Sequence, residues 1–233
     1  MNARRGYVPE DERSFSPAAI RTMKTAARHI CYLLNEGYEL KQASTFVGNH
    51  FLLSERQRLA IARSVAADEQ LKNRKAKEKT ALGGADVWID GFNTVITLEV
   101  MFSDSILLDC MDGTVRDLAA LRGTYRIIPE TERAVRALFD TLKEQNIKTA
   151  HILLDEPVSN SGRLKGLLAG IGEGYPFCLD IQLLKTVDSA LWDKDNVVTT
   201  DSIILDHCIG WFDLMKICVQ KYGAKTLCVW ERE

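Results

Sequence analysis

From Val87 onward the sequence alternates short β-branched runs with helical stretches. The runs are Val87-Trp88-Ile89, Thr149-Ala150-His151-Ile152-Leu153-Leu154, Val197-Val198-Thr199-Thr200 and Thr226-Leu227-Cys228-Val229-Trp230. Strand and helix in alternation predict an α/β fold with a mainly parallel sheet and flanking helices. Thr131 to Asn146 reads as the clearest helix, with Val135, Leu138, Phe139 and Leu142 on one face. Ser202 to Tyr222 predicts another, with Ile203, Ile204, Cys208, Phe212, Met215 and Val219 inward. Ser105 to Asp109 and Gly123 to Ile128 are expected to form a hairpin-like excursion.

Before that point the texture is different. Pro17 behind Ser16 marks a helix start, and Ile20, Met23, Ala27, Ile30, Cys31 and Leu34 follow at helical spacing up to Gly37. A second helix is expected over Leu40 to Val47, stopped by Gly48 and Asn49. Ser54-Glu55-Arg56-Gln57 is a capping-box pattern that opens a third. This helix is expected to run on through Leu71 to Lys79, where five of nine residues are basic, so that it leaves the core there. Gly83-Gly84 follows, which places the boundary between an all-α module (1–80) and an α/β domain (81–233) at about residue 80.

Charge separates the same two parts. Residues 1–80 hold 15 Lys+Arg against 9 Asp+Glu, a balance of +6, whereas residues 81–233 stand at -8. A basic module on an acidic domain suits gripping nucleic acid with one part and holding metal with the other; two ordinary solvated surfaces account for the charge equally well. Arg74, Lys75 and Lys77 are the candidate phosphate contacts, with Arg56, Arg58 and Arg63 earlier. Aromatic residues are sparse beside this run, so base stacking is not expected there. No apolar run approaches the roughly 20 residues that a bilayer needs, which argues against a membrane partner. Six cysteines, none spaced C-x-x-C, read as buried, reduced thiols in a cytoplasmic protein.

In open α/β sheets ligands bind beyond the carboxyl ends of the strands, and in this sequence those ends are acidic. Ile89 is followed by Asp90-Gly91-Phe92-Asn93, Leu154 by Asp155-Glu156, and Thr199-Thr200 by Asp201. Three carboxylates at one sheet edge would suit Mg²⁺ or Mn²⁺, hard cations that prefer oxygen ligands. Asp188 and Asp206 are candidates for further ligands, although an aspartate after a strand also serves simply as a helix N-cap.

The order of these motifs resembles the PIN-like nuclease superfamily, particularly its NYN branch, over roughly residues 85–231. That branch opens with a hydrophobic strand running into Asp-Gly-x-Asn and later has a strand ending Ser/Thr-x-Asp. The resemblance implies that Asp90 is the first metal ligand, Asn93 its orienting neighbour and Asp201 the late carboxylate, with Thr200 in support. Asp188 would match the acidic residue that opens the preceding helix, but it stands unusually close to Asp201. Implied with the fold is metal-dependent hydrolysis of a phosphodiester, usually in RNA. The alternative is a non-catalytic nucleic-acid-binding or scaffold protein with an incomplete carboxylate cluster. The two-part chain as a whole also resembles an uncharacterised prokaryotic family called domain of unknown function 434.

Other motifs point elsewhere. Asp109-Cys110-Met111-Asp112-Gly113-Thr114 resembles the opening of haloacid dehalogenase-like phosphatases, but three residues rather than two separate the aspartates. In an extended chain that puts them on opposite faces, so both are expected in a turn, with a place in the lining of the carboxylate site as the alternative. Gly166, Gly170, Gly172 and Gly174 match no phosphate-loop fingerprint and read as a helix end and a turn. Ser159, Asn160, Ser161 and Arg163 stand near Asp155 and suit either a phosphate or loop capping.

Overall fold

A computed structural model describes residues 4–119, 121 and 123–231. The chain opens with helices α1 (Asp11–Ser14), α2 (Pro17–Asn35), α3 (Leu40–His50), α4 (Glu55–Ser64) and α5 (Asp68–Lys77). There follow β1 (Glu78–Lys79), β2 (Asp86–Asp90), α6 (Gly91–Phe102), β3 (Leu107–Asp109), β4 (Val115–Asp117), α7 (Pro129–Glu144) and β5 (Thr149–Asp155). The remainder is α8 (Ser161–Gly172), β6 (Cys178–Leu184), α9 (Asp188–Leu191), β7 (Val197–Val198), α10 (Ser202–His207), β8 (Trp211–Phe212) and α11 (Leu214–Tyr222).

Six strands pair in parallel in the order β1-β8-β7-β2-β5-β6, while β3 and β4 form a separate antiparallel hairpin. From β2 the chain builds outward through β5 and β6, then returns to build β7 and β8 on the other flank. The strand order therefore reverses between β2 and β7, and the crevice for a ligand opens there, at the carboxyl ends. Val135, Leu138, Phe139 and Leu142 of α7 are fully buried with Val87 and Ile89 of β2 in the main core. Each such side chain contributes roughly 1.5–3 kcal/mol relative to its exposed state.

The N-terminal helices share their core with the rest of the chain. Met23, Ala26, Ala27 and Ile30 of α2 and Ala60 and Ile61 of α4 pack in one cluster with Leu108, Cys110, Leu118, Val229 and Trp230. Ser16 caps α2 through Ala19 N, and both halves of the Ser54–Gln57 capping box are made.

Several expectations need correction. The helix from Ser54 does not continue to Lys79: Val65 to Ala67 are extended, and α5 starts afresh where Asp68 N donates to Asn35 Oδ1 at 2.9 Å. Gly48 lies inside α3, where Arg58 packs so closely that a Cβ would stand 2.8 Å from its Nε. The segment 202–222 is two helices separated by β8, because Trp211 and Phe212 pair into the sheet, and Ile203 is exposed. The partner of Leu107–Asp109 is Val115–Asp117, across a turn in which Gly113 has φ +86°. Thr226 to Trp230 meets β3 through a single bridge at Leu227. The expected helix end and turn are found where α8 stops at Gly172 and Gly174 follows in a turn, while Gly166 and Gly170 lie within the helix. The six cysteines are free, but Cys178 is exposed. Among the described residues no helix is long and apolar enough to cross a membrane.

Candidate active site

Asp90 ends β2 and caps α6, its Oδ1 accepting from Asn93 N at 3.4 Å. The glycine after it is required by contact: a Cβ on Gly91 would meet Leu154 Cδ2 at 2.6 Å and Leu153 O at 2.9 Å. Without one, the first turn of α6 seats directly on β5. Asn93 then reaches across the switch point, its Oδ1 accepting from Thr200 N at 2.9 Å and Thr200 Oγ1 at 3.0 Å. Thr199 Oγ1 donates to Asp90 Oδ2 at 2.9 Å. The start of α6 is thus laced to the end of β7. Asp201 follows as the cap of α10, accepting from Ile203 N at 2.8 Å. On the other side Asp155 ends β5 and accepts from Val187 N at 3.3 Å, which holds the loop whose next residue, Asp188, begins α9.

Asp90, Asp155, Asp188 and Asp201 line one cleft of about 400 Å³, together with Asn93, Thr200, Arg63, Arg116, Asp117 and Tyr125. Burial, then the charges of Asp201 and Asp155, push the Asp90 carboxyl up to about 7. Burial also raises Asp155, and burial with Asp201 and Asp155 raises Asp188. Carboxylates that repel one another this way are stabilised together by a cation. The donors are all oxygen, which fits Mg²⁺ or Mn²⁺, since Mg²⁺ keeps several waters and needs only one or two direct carboxylates. Among the described residues, no three of His, Cys, Asp and Glu are grouped as a ready-made metal cage.

Asp206 stands outside this group. It faces Arg74, whose Nε and Nη2 donate to its Oδ1 and Oδ2 at 2.6 and 2.8 Å. Arg74 is therefore buried at 2% exposure and does not present its charge to solvent, contrary to the expected phosphate contact. Lys77 Nζ is likewise turned inward onto the carbonyls of Asp206 and Cys208. Lys75 is exposed and paired with Glu78, and Arg163 is exposed on α8. Ser159 and Asn160 hold Tyr125, through bonds of 2.9 Å to its N and 2.7 Å to its O.

The sequence reading missed the residues that brace the site from beneath. Arg116 on β4 donates from Nε to Thr200 O at 2.6 Å and from its other nitrogens to Arg63 O and to Asp112. Asp112 also accepts from Arg74 Nη1 at 2.8 Å. Although burial opposes it, Arg116, Thr114 and Arg74 hold the Asp112 carboxyl below the usual range. Asp109 and Asp112 are not among the cleft's lining residues, so the phosphatase-like pattern assembles no site there. Only the bare Asp-Cys-Met-Asp-Gly-Thr turn hinted at this network, and nothing in it named the arginine partners.

A family model described as "Domain of unknown function (DUF5616)" matches residues 79–217, and one described as "Protein of unknown function (DUF434)" matches residues 22–77. The chain belongs to the DUF5616 family. Its DUF434 match ends at the last residue of α5, and its DUF5616 match begins within β1. The chain is similar to an uncharacterized protein, MJ0935, of Methanocaldococcus jannaschii, 36% identical over 191 residues that cover 79% of this chain and 89% of that one. No solved structure matches. Neither matched family model is a PIN-like or NYN one.

Proposed function

We propose that this DUF5616 protein is a metal-dependent phosphodiesterase acting on RNA, with Mg²⁺ or Mn²⁺ held by Asp90, Asp155, Asp188 and Asp201. The observation that carries the reading is that four aspartates from separate elements line one cleft at the strand-order switch, with Asp90 raised to about 7. The parallel pairing of β2 with β5 on one side and β7 on the other sets their carboxyl ends side by side, which is how Asp90, Asp155 and Asp201 reach one edge. When bound, the cation would supply activation of water and stabilisation of the leaving oxygen.

The chain's own residues prepare that chemistry. Asn93 accepts from the Thr200 backbone, and Thr199 donates to the Asp90 carboxylate, which orients it. Arg63, a third exposed, brings a positive group from α4 to the cleft, where it bonds Asp117 O at 2.6 Å and pairs with the Asp117 carboxylate at 3.3 Å; a phosphate oxygen would be a second anionic partner for its guanidinium. Tyr125, fully buried against Phe92 with its hydroxyl on Glu99, fixes the same wall from behind.

A second reading, a non-catalytic nucleic-acid-binding or scaffold protein, is favoured by the lack of a ready-made cage among the described carboxylates. Calorimetric titration with Mn²⁺ separates the two. The nuclease reading expects saturable binding and cleavage of single-stranded RNA, both lost in Asp90→Asn while the circular dichroism spectrum is kept. Wild-type protein that binds no Mn²⁺ and cleaves no RNA or DNA yields the case to the second reading.

A further inference from the structure

The acidic cleft does not end at its carboxylates. A second cavity of about 370 Å³ adjoins it, and Ala62, Arg116 and Ser202 line both. The two share that wall, and the second cavity lies between the N-terminal helices and the start of α10. Its chemistry is different. Tyr38, in the loop after α2, and Ile203, on α10, line it at 55% and 52% exposure. Gln70 and Asp206 add a polar edge, bonded to each other at 3.2 Å. Large apolar surfaces left open in a concavity beside an active cleft suit a flat, partly polar ligand, and the size falls at the small end of ligand pockets, roughly 300–1,000 Å³.

We infer that this cavity is a nucleobase subsite, taking the base of a nucleotide adjacent to the one whose phosphate lies at the aspartates. The inference rests on the phosphodiesterase reading and deepens it by making the substrate single-stranded, since a base must leave its stack to lie against Tyr38. Two observations favour a base over another occupant. The cavity shares the wall of Ala62, Arg116 and Ser202 with the cleft that would hold the phosphate, and an aromatic ring is the usual sequence-tolerant platform for unstacked bases. A tyrosine here also assigns a role to the helical segment: α4 contributes Arg63 to the cleft, and the loop after α2 contributes the platform.

The test uses the full chain carrying Asp90→Asn, so that nothing is cut, and a fluorescein-labelled single-stranded oligoribonucleotide followed by anisotropy. A matched strand with one abasic position serves as the second probe. Tyr38 is exposed, so Tyr38→Ala removes no core packing. The subsite expects Tyr38→Ala to weaken binding of the intact strand by roughly five- to a hundredfold. Tyr38→Phe should bind like the parent, and the loss should shrink on the strand whose abasic position falls at the subsite. Equal affinity of Tyr38→Ala and its parent overturns the subsite while leaving the nuclease reading in place. A parent chain that binds no single-stranded RNA, together with a wild type that cleaves none, overturns both.

Discussion

Asp213 shows how one buried carboxyl sets a pH dependence that has nothing to do with the cleft. It caps α11 through Lys216 N at 2.9 Å, yet its Oδ2 is buried with no partner among the described residues, and burial raises the group from its ordinary 3.8 to about 7. Below the unfolded-state value both states hold the proton and the native contribution is fully present. As pH rises from 3.8 to about 7 the unfolded chain releases its proton while the native one keeps it, so stability is lost over that window. Asp213→Asn retains a capping side chain and removes the titration. Thermal melts of the two proteins should coincide near the low end of the window, and the variant should melt higher above pH 7. A wild type that melts as high as the variant at alkaline pH would mean that Asp213 is ionised in the native state at no cost.

At the scale of elements, α5 reverses the meaning of its basic sequence. Its charges read as a solvated grip, but Arg74 is clamped between Asp112 and Asp206, and Lys77 is spent on two carbonyls. A buried ion pair that loses one partner leaves an uncompensated charge, costing about 3–5 kcal/mol. Arg74→Gln, which takes the guanidinium from Asp206 and leaves Asp112 to Arg116 and Thr114, should therefore lower the urea midpoint. Lys75→Gln at the exposed position should move stability by less than about 0.5 kcal/mol. In RNA titrations, removing Lys75 should flatten the salt slope by at most about 0.7, the contribution of one phosphate contact on a single strand. A folded, undiminished Arg74→Gln with a flattened slope would restore the helix to a nucleic-acid role. The helices whose apolar residues recur at helical spacing, α2 and α7, were legible in sequence because burial of one face dictates that spacing. Strand β6 was missed although its apolar residues alternate: Leu179, Ile181 and Leu183 pack on the core but are only half buried at the sheet edge.

For the whole molecule the decisive fact is the shared core. Leu108, Cys110, Leu118, Val229 and Trp230 are buried in one cluster with residues of α2, α3 and α4, and Arg116 reaches from the hairpin to a carbonyl on α4. Residues 79–233 produced alone would expose that surface and lose Arg74, the partner that Asp112 and Asp206 share. The piece should bind a hydrophobic dye and melt without a cooperative transition, whereas the full chain melts in one. A cooperative, dye-free 79–233 fragment would show that the helices sit on an independently stable sheet. The two family matches meet at residues 77 and 79, within the segment where α5 hands over to β1, so the division in sequence falls where the physical core is continuous.

Local pattern by itself determined the parallel α/β class, the helix caps at Ser16 and Ser54, and the carboxylates at the ends of β2, β5 and the segment after β7. Each of these depends on neighbours in sequence: side-chain period, cap chemistry, and the residue that follows a strand. Tertiary structure alone decided which carboxylates meet. Asp188 and Asp206 looked alike as aspartates near Asp201, yet the Asp155–Val187 bond brings one to the cleft and the Arg74 guanidinium holds the other away from it. It also decided that Arg116, Thr199 and Arg63 belong to the site, because their partners lie on elements 50 or more residues distant in sequence. Spacing along a chain reports the period of one element; it carries no record of which charge from a distant element will be desolvated beside it.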